Sequence, residues 1–123
     1  MNLLDAKKLT VDQLVSRFSE IGIAQDEALL KGAVDRFNHL YDQKVIIVTE
    51  LKSRSGDKRS VLLRLYDHPN MQVRLNAANA TLAVAPEQSR KLLKEIAVSN
   101  YFPQAGDAGM VLAALEQGTY KPI

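Results

Sequence analysis

Residues 62–97 read Leu62-Leu-Arg-Leu-Tyr66-Asp-His-Pro69-Asn-Met-Gln-Val73-Arg-Leu-Asn-Ala77-Ala-Asn-Ala-Thr-Leu82-Ala-Val-Ala-Pro86-Glu-Gln-Ser-Arg-Lys-Leu92-Leu-Lys-Glu-Ile96-Ala97, and this stretch decides the fold. Pro69 disfavours helix at His68 and removes a backbone donor, so one helix must end there. Asn70 then caps a helix from Met71 to about Val84, with Val73, Ala77, Ala80, Leu82 and Val84 on its apolar face. Ala77, Ala78, Ala80, Ala83 and Ala85 are small enough to let a second helix lie close. Pro86 suits a first helical position, and Glu87 favours the positive end of the helix dipole. Leu92, Leu93, Ile96 and Ala97 give this second helix its inward face, and the short link makes the pair antiparallel.

The same grammar extends in both directions. Upstream, Thr10-Val11-Asp12-Gln13 forms a capping box, followed by the stripe Val11, Leu14, Val15, Phe18 and Ile21, with Gly22 as the expected stop. Asp26 is expected to cap a further helix burying Ala28, Leu29, Ala33, Phe37, Leu40 and Tyr41, and running on through Val45, Val48 and Leu51. The β-branched run Lys44 to Thr49 could be a strand, but no second strand is available to satisfy its backbone, so helix is expected. Ser53 to Asp57 is a turn, after which Asp57 caps a short helix carrying Val61, Leu62, Leu65 and Tyr66. Downstream, Asn100-Tyr101-Phe102-Pro103 breaks the chain. A last helix with Ala105, Ala108, Val111, Leu112 and Leu115 stops at Gly118. The expectation is all-α: an α-α superhelix of about six antiparallel helices, folded as a single domain over residues 1–123.

Two resemblances accompany this pattern. Asp67 and Pro69 in the turn, Val73-Arg74, Ala77-Ala78, Leu82 and Pro86-Glu87 are similar to a HEAT-type repeat, and Ala108-Gly109 gives a weaker echo 31 residues on that lacks the Val-Arg pair. Val73-Arg74, Ala77-Ala78, Leu82-Ala83-Val84-Ala85-Pro86 and residues 102–109, Phe-Pro-Gln-Ala-Gly-Asp-Ala-Gly, resemble the bacterial family described as domain of unknown function 2019. That resemblance covers most of the chain and implies a HEAT/armadillo-like superhelix without implying an activity. The HEAT resemblance implies that Asp67 and Arg74 brace the helix pair, through a charge-assisted bond between them or from Arg74 to helix-end carbonyls. Arg74 binding an anionic ligand is the functional alternative.

Composition removes several function classes. There is no cysteine, which excludes a disulfide scaffold, thiolate zinc and a cysteine nucleophile. Sixteen basic and 14 acidic residues leave a net charge of +2, with no global pull toward nucleic acid or anionic lipid. No run is long and uncharged enough for a membrane span, so a cytoplasmic chain with no membrane partner is expected. Nucleophile elbow, phosphate loop, dinucleotide fingerprint and His-Glu-x-x-His are all missing. His39, three residues before Asp42, is two ligands short of a metal site, and His68 shapes the turn before Pro69. Glu50, Glu95 and Glu116 read as solvated. Neither an enzyme nor a cofactor-binding chain is expected; the alternative, an unrecognised hydrolase, calls for a deep pocket joining His39 to several carboxylates.

The expected function is protein or peptide binding by a non-enzymatic module, such as an adaptor or an immunity-type protein. Tyr101, Phe102 and Tyr120 are the candidate contact residues, set against the plainer reading that they plug the end of the superhelix. Self-association through such an end would give a homodimer. The alternative function is nucleic-acid binding through Lys52, Arg54, Lys58, Arg59 and Arg64, opposed locally only by Asp57.

Overall fold

The computed structural model describes all residues, 1–123, and is entirely helical apart from its turns. The elements are α1 (Leu3–Lys7), α2 (Val11–Leu30), α3 (Val34–Ser53), a 3₁₀ segment (Lys58–Leu65), α4 (Met71–Ala80), α5 (Pro86–Ala97) and α6 (Gln104–Gln117). Residues 44–49 lie inside α3 as helix. The chain divides into two compact units, Met1–Leu62 and Leu63–Ile123.

In the first unit, α2 and α3 form an antiparallel hairpin. Thr10 and Gln13 exchange both capping-box bonds, at 3.1 and 2.8 Å. Leu14, Phe18, Ile21, Gln25 and Ala28 recur on α2 at alternating three- and four-residue steps, and all are buried. Phe37, Leu40, Lys44, Ile47 and Leu51 recur on α3 at the same spacing, the row that a facing antiparallel helix requires. Burying side chains such as Phe18 and Leu51 contributes about 1.5–3 kcal/mol each, which decides the hairpin over solvated helices. Lys44 is the exception in this row. Desolvation pulls its ammonium down to about 8, while its Nζ lies 4.3 Å from the Tyr41 ring centroid.

The break between these helices differs from the sequence expectation. Gly22 is buried in mid-helix and Asp26 is not a cap; α2 continues to Leu30. Its stop is Gly32, at φ +65. Gly32 N–H donates to Leu29 O and Ala33 N–H to Ala28 O, at 3.2 and 2.9 Å, the paired bonds of a Schellman ending. Gln25 and Ala28 explain the continuation, since their burial is gained only if the helix passes Gly22. Leu29 and Tyr41, expected inside, are exposed. Every buried residue of α3 (Ile47, Glu50 and Leu51) lies in its last seven positions.

α1, which periodicity missed, is a single capped turn: Asn2 Oδ1 accepts from Asp5 N–H and Asp5 Oδ2 from Asn2 N–H. Arg54 fastens it. Its Nε donates to Glu50 Oε2 at 2.8 Å, and its Nη2 donates to Leu9 O at 2.6 Å and Ala6 O at 3.2 Å. Glu50 is therefore buried and paired, not solvated.

The second unit packs α4, α5 and α6 around Leu75, Ala78, Leu82, Leu92, Leu93, Ile96, Ala108 and Leu115. Asn70 caps α4, accepting from Val73 N–H at 3.2 Å, and Pro86 opens α5. α4 ends at Ala80, earlier than its pattern suggests; just past this end the Thr81 hydroxyl turns back onto Ala77 O at 2.8 Å and lies 2.6 Å from the Tyr66 phenol oxygen, within hydrogen-bond distance. Gly118, at φ +75, ends α6 in a second Schellman pair. α4 also buries amides: Gln104 Nε2 donates to Gln72 Oε1 at 2.9 Å, and Gln72 Nε2 to Asn76 Oδ1 at 3.0 Å.

Candidate interaction surface

The loop between α5 and α6 is built to hold rings outward. The Ser99 hydroxyl donates to Ile96 O at 2.6 Å and accepts from Tyr101 N–H at 3.2 Å. Tyr101 O accepts from Ala105 N–H at 2.9 Å, and Pro103 O from Asp107 N–H at 3.1 Å, so the loop's carbonyls take up the first free donors of α6. Asn100 sits at φ +62, a conformation its short polar side chain tolerates, and the Phe102–Pro103 peptide is cis. On this braced loop Tyr101 is 51% exposed and Phe102 68%.

Neither ring plugs the helical core. Phe102 lies beside Gly106, its ring edge 3.8 Å from where a β-carbon on that residue would sit, an ordinary van der Waals distance. Met110, one turn further along α6, extends that face and is largely exposed, as is Val98 at the end of α5. Sequence reading overlooked both. Met110 could have been found by the four-residue spacing from Gly106, whereas Val98 carries no pattern that separates it from a core residue. Beside them, burial pushes the Asp107 carboxyl above the ordinary aspartate value. Tyr120 stands apart from the loop in sequence. Its N–H donates to Ala114 O at 3.2 Å, and its ring is partly exposed on the tail that turns back over the end of α6.

The basic run is divided by its pairing. Arg54 is spent on α1, as described. Arg59 is buried and donates from Nε and Nη2 to both Asp57 oxygens, at 2.9 and 2.6 Å, which holds that carboxyl below the usual range. Lys52 and Lys58 are exposed in the first unit, and Arg64 in the second. The five cations are therefore not a uniform strip.

The direct bond between Asp67 and Arg74 is not formed. Asp67 is exposed, and the turn is closed instead by Asn70 N–H donating to His68 Nδ1 at 3.0 Å. Arg74 is half-buried with its Nε hydrogen-bonded to nothing, so it supplies no bond to helix-end carbonyls from that atom either. His39 and Asp42 are both exposed on α3, and no three metal-ligating side chains come together. A polar groove of about 460 Å³ is lined by Leu9, Asp12, Gln13, Ser16, Arg17 and Glu20, which offers no nucleophile paired with a base. No helix is long and apolar enough to cross a membrane.

Against known proteins, no curated protein matches the chain. Among solved structures, it is similar to the crystal structure of the protein RPA1889 from Rhodopseudomonas palustris CGA009. The two share 50% identity over 95% of this chain and 97% of that one, with a TM-score of 0.94. The model of the family described as Domain of unknown function (DUF2019) matches residues 12–116, and the chain belongs to that family.

Proposed function

We propose that the chain is a non-enzymatic protein-binding module of adaptor or immunity type, acting in the cytoplasm, whose contact surface is the α5–α6 loop. The exposure of Phe102 on a hydrogen-bonded loop carries this reading. A large ring left in water forgoes about 2 kcal/mol of burial, and aromatic anchors on rigid supports are what interface centres use. Within the same reading, α4 and α5 are a HEAT-type helix pair, supported by the complete burial of Val73, Ala77 and Ala78.

The test compares tagged parent chain with Tyr101→Ser/Phe102→Ser in capture from native lysate. The parent is expected to retain a discrete protein that the double variant loses, with melting temperatures within about 2 °C of each other, as surface substitutions allow. Capture of nucleic acid alone, or equal capture by both chains, would refute the proposal. Nucleic-acid binding through the basic run is the weaker reading, because Arg54 and Arg59 already have internal acceptors. It would require salt-sensitive binding abolished by Lys52→Glu/Lys58→Glu.

A further inference from the structure

α3 carries a second apolar row besides the one it turns toward α2. Val34, Tyr41, Val45 and Val48 repeat at steps of seven, four and three, on a face displaced from Phe37, Leu40, Lys44 and Ile47. Within this row Val34, Tyr41 and Val45 are 66%, 49% and 44% exposed. Asn38 and Thr49 interleave with them. The charges flanking the row divide by end, with Asp35 and Asp42 in the first half and Lys52 at the close, all three exposed, while the exposed Arg36 lies on the opposite side of the helix. The row also runs through the half of α3 that has no buried residue.

We infer that this face is where two copies of the chain associate, α3 against α3 and antiparallel. Three observations select a second copy in that orientation. First, the row is self-complementary in reverse. A twofold axis near residue 43 sets Tyr41 against Val45, Asn38 against Val48 and Thr49, and Lys52 against Val34 and Asp35, each contact occurring twice. Second, the charges match only head to tail: antiparallel pairing brings each Lys52 to the partner copy's acidic end, whereas parallel pairing stacks like charges. Third, the area suffices. Val34, Tyr41, Val45 and neighbouring Leu29 are each more than a third exposed and together offer roughly 300 Å² of apolar surface, the size of patch that marks an interaction site, with Asn38, Thr49 and Lys52 as its polar rim. This inference uses none of the residues of the α5–α6 loop and stands or falls independently of it.

Sedimentation velocity from 1 to several hundred micromolar, on the order of the affinities such faces reach, tests it. The parent is expected to pass from monomer to dimer, and Val45→Glu to stay monomeric throughout with unchanged helical circular dichroism. Lys52→Glu is expected to weaken the dimer about tenfold, and Asp35→Lys in the same chain to restore it. A parent that is monomeric over the whole range, or a dimer indifferent to Val45→Glu, would overturn the inference. Failure of the Asp35/Lys52 exchange to restore association would overturn the antiparallel register.

Discussion

At the scale of single residues, two cations pull in opposite directions. Arg54 is stabilising because every donor it buries meets an acceptor; Arg54→Ala strips α1 of its anchor and leaves Glu50 buried with no cation. The expected loss is about 2–4 kcal/mol in a urea titration, with hydrogen-exchange protection vanishing first at Ala6 and Leu9. Lys44 is destabilising at neutral pH. Its folded value of about 8 lies below the lysine norm of 10.5, so the unfolded chain holds this proton more tightly. The penalty is complete below pH 8 and is relieved as pH climbs from about 8 to about 10.5. Lys44→Met is expected to raise the melting temperature by about 5–10 °C at pH 7, a gain of about 1–2 kcal/mol, and by little near pH 10. A gain that does not shrink with rising pH would show that desolvation of the ammonium is not its source.

At the scale of elements, what could be read depended on whether the deciding signal was local. Asn70, Pro86, Thr10 with Gln13, and Gly118 act within four residues of themselves, and the helix ends they announce are where they were expected. The α2–α3 junction was misplaced because Gly22 and Gly32 look alike in sequence. Only the packing of Gln25 and Ala28 makes one an interior residue and the other a stop. α4 shows the same limit from another side. Val73, Ala77 and Leu82 announced a core helix, but Gln72 and Asn76 carry no mark of burial, since Gln104, which donates to Gln72, lies 32 residues away. Gln104→Met keeps the bulk and removes the donor, so Gln72 is left unsatisfied. The expected cost is about 1–3 kcal/mol in chemical denaturation, and adding Gln72→Leu should not recover it, because that change also strips the buried Asn76 Oδ1 of the donor that Gln72 Nε2 supplies.

At the scale of the whole molecule, the candidate surfaces were legible in unequal measure. Tyr101 and Phe102 stood out because two rings beside a proline break are conspicuous, yet the Ser99 hydrogen bonds that brace their loop carry no mark in the sequence pattern. The basic run was visible as composition, but the commitment of Arg54 and Arg59 to internal acceptors rests on Glu50, Asp57 and the carbonyls around α1. Stability is also unevenly distributed. Leu75, Leu93 and Ile96 are enclosed on all sides, whereas Val34 to Ile46 contain no buried residue. At low micromolar concentration, amide exchange is expected to be slowest in α4 and α5 and fastest in the first half of α3, with the latter slowing as concentration rises. The bond from Tyr66 to Thr81 gives the chain a built-in optical gauge. There is no tryptophan, and of the four tyrosines three are exposed while Tyr66 alone is partly enclosed, its phenol pushed by burial above the ordinary value. Near-ultraviolet dichroism of this chain thus reads chiefly one ring, and the loss of that band on warming times the melting of the second unit without any label.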